Sequence, residues 1–405
     1  MGSSGTTTAL GRVALGLAQR LLRALTSLLP RDPNRWVFGS RNGAYVDNPR
    51  YLFEYLAERH DGTTVAWISP SVASVDQARA GGRRRAWRRR SLRGKWEVLR
   101  AGVAVYAFDP SDVNVALTGG ALGVNLYHGV PLKAIEDDVR IGPSGRIYHP
   151  TTLVERFRAG TVYYPRTLRN DLVLATSPEV AAIMERSFGT RAAATVVARP
   201  PRLAAASPRR RRPTTEASTL LYAPTWRPDG GWRIEEALPR LADLDLALQA
   251  SNATLLVKGH LYDKIELSGA AERIESVPAD TDITWLLGAI DGLITDYSSV
   301  MFDAALLEVP VVFYPYDLDR YHDEVSPTFN FDYERLVDGR VAWNFEDLLE
   351  LIGSGRWRTS AFPAEVRNRV WGPGPLGSIE ASNDELVAHI SEAARRRHGS
   401  QAVSP

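Results

Sequence analysis

Two histidines stand where a proton could be moved. His128 follows the apolar run Leu122–Tyr127 and precedes Gly129, and His260 follows the run Thr254–Lys258 and Gly259. An imidazole ionises close to neutral pH, which suits it to take a proton from a hydroxyl group. Each lies just past the carboxyl end of a predicted strand, where open α/β sheets keep their sites. His149 is a third, less well placed candidate. A single histidine is more often a hydrogen-bonded structural residue; two at equivalent positions, one in each half of the chain, favour chemistry.

Two turns have the residue types that hold an anion. Gly292–Leu293–Ile294–Thr295 reads as a strand entering the polar turn Asp296–Tyr297–Ser298–Ser299, and Val300–Glu308 reads as a helix that Ser298 or Ser299 would cap. Hydroxyls beside a helix N-terminus can receive a phosphate. Asp303 lies in the first turn of that helix. The stretch Leu220–Arg227 repeats the move, with Thr225 and Arg227 after a strand, and a guanidinium can grip a phosphate with two N–H groups. Lys133 and Lys258 are further cations beside the two histidines. There is no dinucleotide or phosphate-loop fingerprint and no glycine-flanked nucleophilic serine. No carboxylate cluster with histidine suggests a metal site, so neither metal nor cofactor is expected. These residues point to transfer chemistry on a phosphorylated, nucleotide-linked donor, and leave the transferred group open.

The elements that must position these groups alternate strand and helix. Thr64–Ile68, Val103–Ala107, Thr219–Ala223, Thr254–Lys258, Gly292–Thr295 and Val311–Tyr314 read as buried parallel strands, with helical patterns such as Pro49–Glu58 between them. Alternation of this kind gives parallel sheets with right-handed crossovers. The arginine run Arg209–Arg212 between two prolines marks an exposed linker over Ser207–Thr215. The expected division is a helix at 1–30, an α/β domain at 31–205, a second at 206–380, and a helix and tail at 381–405. Two such domains would face a central cleft.

The chain has 405 residues, 49 Lys+Arg against 47 Asp+Glu, and no cysteine. At about 150 residues per domain this is two or three domains. Disulfides, thiol catalysis and thiolate-bound zinc are excluded. A net charge of +2 gives no global reason to expect a nucleic-acid partner. No run reaches the length of a membrane span, and the N-terminus lacks a secretory apolar block. Residues 8–29 read instead as an amphipathic helix. Arg12, Gly16, Gln19, Arg20, Arg23 and Ser27 share one face; Leu10, Val13, Leu17, Leu21, Ala24 and Leu28 share the other. Such a helix either lies in a membrane interface or packs on its own domain. A second basic block, from Arg79 through Arg83, Arg84, Arg85, Arg88, Arg89, Arg90, Arg93 and Lys95 to Arg100, is interleaved with Trp87 and Trp96. It could seat on anionic headgroups or on nucleic acid, or simply face water.

Several segments together resemble the CDP-glycerol glycerophosphotransferases that build teichoic acids and related capsule polymers. They are Phe38–Gly39–Ser40 with Gly43 and Asp47–Asn48–Pro49–Arg50; Tyr127–His128–Gly129–Val130–Pro131–Leu132–Lys133; Pro201–Arg202; Tyr222–Ala223–Pro224–Thr225–Trp226–Arg227; Lys258–Gly259–His260; and Thr295–Asp296–Tyr297–Ser298–Ser299–Val300–Met301–Phe302–Asp303, continued by Asp332–Tyr333–Glu334. The resemblance implies a GT-B-like fold of two Rossmann-type domains, with acceptor on the first and CDP-alditol on the second. It implies a peripheral enzyme on the cytoplasmic face of the cell membrane, with a lipid-linked acceptor and an anionic membrane surface as partners. His128 would be the base, and His260, Arg202, Thr225, Arg227, Ser298 and Ser299 would hold the pyrophosphate. Lys133 would orient the acceptor, and Asp296 and Asp303 would order the loop or meet the donor. The sequence departs from the family pattern at Leu336–Arg340 and Trp371–Gly377. The transferred unit therefore stays open between glycerol phosphate, ribitol phosphate and another activated unit. A nucleotide-sugar glycosyltransferase and a non-catalytic membrane- or RNA-binding scaffold are the rival readings.

Overall fold

The computed structural model describes residues 9–59, 62–82, 84–206, 217–225, 227, 234–259, 272–278, 281–324, 328–360, 362–373 and 378–399. The chain divides into two units. The first takes Met1–His128, Ile135–Arg202 and the C-terminal stretch from Pro375; the second takes Gly129–Ala134 and Leu203–Gly374. The main crossing, at Arg202–Leu203, falls close to the expected boundary. Two assignments differ from the expectation. The short segment Gly129–Ala134 belongs to the second unit, because Lys133 forms a β-bridge with Phe329 and the Asn330 amide donates to the carbonyls of Pro131 and Lys133. The C-terminal helix Ile379–Gly399 is part of the first unit, where Leu386, Ile390 and Ala394 join the core. The expected linker at Ser207–Thr215 lies outside the described residues.

The first unit holds seven parallel strands: β1 (Asp32–Phe38), β2 (Thr64–Ser69), β3 (Ala86–Arg88), β4 (Ala101–Tyr106), β5 (Leu122–Asn125), β6 (Leu172–Ala175) and β7 (Thr195–Val197). Their order is β3-β2-β1-β4-β5-β6-β7. Alternation along the strands fills two cores. Trp36, Phe38, Val65, Trp67, Val103 and Val105 point to one face; Val37, Ala66, Ile68 and Ala104 point to the other. A parallel sheet covered on both faces reads as near-continuous apolar runs, which is why these strands were legible.

The second unit holds β8 (Ser218–Tyr222), β9 (Ala253–Val257), β10 (Ile274–Ser276), β11 (Gly292–Thr295) and β12 (Val311–Phe313), in the order β10-β9-β8-β11-β12, again all parallel. The edge strand β10 was not anticipated. It is three residues long and two of them are exposed, so it has no apolar run to betray it. In each sheet the strand order reverses once, between β1 and β4 and between β8 and β11, and such points open a crevice at the carboxyl ends.

The basic block at 79–100 is mostly consumed inside the first unit. Arg84 pairs with Glu54 and Glu58, and Arg79 donates to the Ala86 carbonyl. Arg89 donates to the Ser111 carbonyl. Arg35, Arg85 and Arg93 converge on Glu97, whose side chain is 0% exposed. Arg88, Arg90, Lys95 and Arg100 stay exposed. Among the described residues, then, Arg84, Arg85 and Arg93 form a structural ion-pair network, Arg79 and Arg89 brace carbonyls, and the other four cations face water, while Arg83 lies outside the described residues. Replacing Glu97 by Ala should leave three cations facing a buried void and cost about 2–4 kcal/mol of stability. Denaturant unfolding of the full chain checks this, since an effect under 1 kcal/mol would show that solvent screens the cluster.

Candidate active site

In the second unit the turns after β8 and β11 meet at the switch point, and one side chain joins them. Asp296 is fully buried. Its carboxylate accepts the Thr225 N–H (2.9 Å), the Thr225 hydroxyl (2.7 Å), the Tyr297 N–H (2.6 Å) and an Arg227 N–H (3.0 Å). Arg227 then grips Asp317 with two further N–H groups at 2.8 and 2.7 Å and donates a fourth to the Thr225 carbonyl at 2.6 Å. Four of its five N–H groups are thus committed to the protein. Burial alone would raise the Asp317 carboxyl, but the Arg227 fork outweighs it and holds the group below its ordinary range.

Thr225 and Arg227, expected to grip the donor's phosphates, are in this geometry bonded to the protein. Both build the floor of the switch point. The groups presented beside them are different. Ser299 occupies the N-cap position of the helix Val300–Leu306 without making a side-chain cap bond, and the Ser298 hydroxyl accepts only a long bond, 3.5 Å, from the Val300 N–H. Gly129 lies against Ser299; a Cβ there would come within 2.7 Å of its hydroxyl oxygen. That contact explains the glycine after His128. Asp303 is buried within the helix.

Lys133 reaches the same place. Its ammonium donates to the Tyr321 hydroxyl at 2.9 Å and lies over that ring. Burial pushes it down to about 8, against the pull of Asp296 and helped by repulsion from Arg227. Tyr321 stacks on Tyr297 at 4.1 Å, and the Tyr297 hydroxyl donates to Asp317. Lys133 therefore stands with the residues the resemblance gave to the donor. Asp317 and Tyr321 were missed in the sequence because nothing near them in the chain marks them. Lys258 follows β9, and His260 lies outside the described residues.

In the first unit His128 is exposed at the end of β5, and its ring is held by aromatic contacts. Phe108 stacks on it at 4.4 Å and 11°, and Tyr127 packs at 4.3 Å. The loop that carries Phe108 is fixed by Asp112, which accepts the N–H groups of Ala107 and Phe108. Burial and then the neighbouring Asp109 push Asp112 up to about 7. Tyr127 sits at φ +49°, a conformation that costs an aromatic residue about 1–3 kcal/mol. Asn48 holds it there. Its amide donates to the carbonyls of Leu126 (3.1 Å) and Tyr127 (2.8 Å), and its oxygen accepts the Arg202 N–H (3.2 Å). Arg202 is buried, with a guanidinium nitrogen 3.9 Å from Asp47. The Asp47–Asn48 and Pro201–Arg202 motifs thus converge on the strand end that presents His128. His149 does not join them. Its ring nitrogens meet the Asp137 carbonyl and Arg140, a structural role.

Asn48→Ala should release the Tyr127 turn. The expected outcome is a loss of about 1–3 kcal/mol of stability and a fall in turnover of about 100-fold, from displacement of His128. Thermal unfolding with steady-state rates checks both, and turnover intact in a destabilised variant would mean the turn holds without the clamp.

Comparison with known proteins places these motifs. Residues 21–370 match the family described as CDP-Glycerol:Poly(glycerophosphate) glycerophosphotransferase. The teichoic acid glycerol-phosphate transferase of Staphylococcus aureus is 24% identical over 366 residues, covering 80% of this chain and 85% of that protein. The teichoic acid poly(glycerol phosphate) polymerase of Bacillus spizizenii is 25% identical over 353 residues, covering 81% and 85%. Among solved structures, the wall teichoic acid polymerase TagF soaked with CDPG superposes with a TM-score of 0.71 at 20% identity, covering 94% of each chain. The fold is accordingly GT-B-like. With the motifs in order along the chain and a match spanning most of its length, the chain belongs to the CDP-glycerol:poly(glycerophosphate) glycerophosphotransferase family, whose members are transferases of the phosphotransferase type.

Proposed function

We propose that this transferase moves glycerol phosphate, or a similar alditol phosphate, from a CDP-activated donor to a hydroxyl of a membrane-linked polyol-phosphate acceptor. The observation that carries the reading is the pair of built strand ends. One presents a stacked histidine after β5; the other presents serine hydroxyls and Lys133 on a floor fixed by Asp296. His128 takes the proton of the acceptor hydroxyl. That oxygen attacks the phosphorus bearing the glycerol, the bond from this phosphorus to the bridging oxygen breaks, and CMP leaves with the bond's electrons. Ser298, Ser299, Lys133 and Lys258, with His260, stabilise the pyrophosphate as charge moves onto CMP. Thr225, Arg227, Asp296 and Asp317 keep the turns in place, and Asp303 supports the helix behind them. Arg202 acts through Asn48 and the Tyr127 turn.

Incubation with CDP-glycerol, CDP-ribitol and UDP-sugars, each with a lipid-linked glycerol-phosphate acceptor, tests this. CMP should be released with one CDP-alditol, and His128→Ala should lower the rate about 10²–10⁴-fold. Release of a nucleoside diphosphate would turn the reading to glycosyl transfer. No turnover with any donor, together with salt-dependent RNA binding, would turn it to a scaffold.

The membrane part of the reading rests on the first helix, α1 (Ala9–Thr26). Its small and polar face is the one that packs. Gly16 sits against the Thr161 backbone, Arg23 donates to the Val115 carbonyl and the Thr118 hydroxyl, and the Thr26 hydroxyl donates to the Ala116 carbonyl. The leucines point away: Leu10 is 79% exposed, Leu21 63% and Leu25 54%. A helix packed for its own core would be turned the other way. The helix Leu153–Gly160, tied to α1 where Arg20 donates to the Gly160 carbonyl, adds exposed Leu153, Val154 and Phe157. Among the described residues no helix is long and apolar enough to cross a membrane. Apolar residues flanked by Arg12 and Arg20 suit the plane of an anionic interface. The wild-type chain should therefore sediment with vesicles containing phosphatidylglycerol, and Leu17→Asp with Leu21→Asp should abolish this with folding intact. Equal sedimentation of the double variant would place the membrane contact elsewhere.

A further inference from the structure

Arg41 is the strongest feature the mechanism does not use. It lies in the single turn Arg41–Gly43 that leaves β1, one of the two strands flanking the first sheet's switch point. The other strand, β4, leads to Phe108. Arg41 is exposed, and its guanidinium lies over the Phe108 ring at 4.7 Å. The same ring stacks on His128. The cation is therefore held against the ring, one side chain away from the base, with its N–H groups hydrogen-bonded to no carboxylate or carbonyl among the described residues.

The surroundings keep it so. The turn is pinned because the Ser69 hydroxyl donates to the Gly43 carbonyl at 2.5 Å. The nearby carboxylates spend their hydrogen bonds elsewhere, although Asp112 does feel the charge of Arg41. Asp109 accepts the Ser111 N–H, and Asp112 accepts those of Ala107 and Phe108. This contrasts with Arg227, which its two carboxylates consume. A planar fork with open donors, fixed by stacking, is the arrangement that recognises a phosphate or phosphodiester.

We propose that Arg41 binds the phosphodiester of the acceptor unit whose hydroxyl is presented to His128. This rests on the transfer reading above and deepens it, because it makes the preceding phosphate of the acceptor a recognition element. A terminal glycerol phosphate carries its reacting hydroxyl and its phosphate at opposite ends of one glycerol, and the two protein groups that would meet them both rest on the Phe108 ring. Arg41 is then a specificity residue for chains that already end in a polyol phosphate.

The test compares two lipid-linked acceptors, one ending in a glycerol phosphodiester and one in glycerol with no phosphate beside it. Arg41→Gln should raise the KM for the first about 10- to 100-fold. It should leave kcat, the KM for CDP-glycerol and the neutral acceptor unchanged, and Arg41→Lys should recover part of the loss. A fall in kcat on both acceptors would mean that Arg41 only braces Phe108, and no change would remove it from the site; either overturns the proposal. A second arm needs no turnover. Bis-glycerol phosphate is titrated into the full chain and into Arg41→Gln by calorimetry. Binding lost in the variant upholds the site even if no donor is turned over, and then it is the transfer reading that falls. No binding to the wild-type chain, or equal binding to both, overturns the site whatever the transfer assay gives.

Discussion

A buried carboxylate with no room to be wrong sets the second unit's site. Parallel strands end on the same side of the sheet, and at the switch point the chains leave in opposite directions. The backbone groups of both turns then need partners that the sheet cannot supply. Asp296 supplies them. It accepts from the turn after β8 and from its own turn, and takes a fourth donor from Arg227 at no cost in exposed charge. Remove that carboxylate and Thr225, Arg227 and the entry to the helix Val300–Leu306 lose their common reference. The first unit solves the same problem with a neutral group. Asn48 both donates and accepts, so it can hold the carbonyls of Leu126 and Tyr127 and the N–H of Arg202 at once. A carboxylate there could only accept.

The charge balance of the second unit follows from this choice. Asp296 and Asp317 together neutralise more than Arg227 brings, so the arginine contributes no net positive field to an incoming pyrophosphate. Lys133 is a cation that can do so. Its ammonium is held by Tyr321 and destabilised by burial, which brings it down to about 8. An anion bound beside it would favour the protonated form and raise it again, so binding and protonation reinforce each other. A lysine serves this better than an arginine, because only the lysine has a charge that the ligand can call up.

Strands, turns and motif positions were legible because each is a local pattern. Gly292–Thr295 is a buried apolar run ending in a polar turn, and the sequence says so within eight residues. Roles that depend on distant partners were not legible. Arg227 looks like a phosphate clamp until Asp317, ninety positions on, is folded against it. Asn48 meets backbone carbonyls 78 and 79 positions away, and carbonyls carry no residue-type signal. The arginines of 79–100 look like a binding surface until Glu54, Glu58 and Glu97 are found among them. In α1 the two faces could be read, but not which of them would pack. A glycine, a threonine and two arginines make hydrogen bonds and close backbone contact as well as leucines make apolar contact, and only the fold decides between them.

That decision in α1 has a physical meaning of its own. Leaving leucines on the outside of a helix forfeits roughly 1.5–3 kcal/mol for each that could have been buried. The polar contacts that replace them, from Arg20, Arg23 and Thr26 to carbonyls, are worth about 1 kcal/mol apiece. In water alone the exchange is unfavourable, and the inverted helix would be expected to turn over. It becomes favourable when the outer face meets an apolar phase, because each leucine then regains its transfer energy without giving up the polar contacts beneath. The orientation of α1 is thus the one that the proposed membrane contact requires, since the packing of the first unit alone does not account for it.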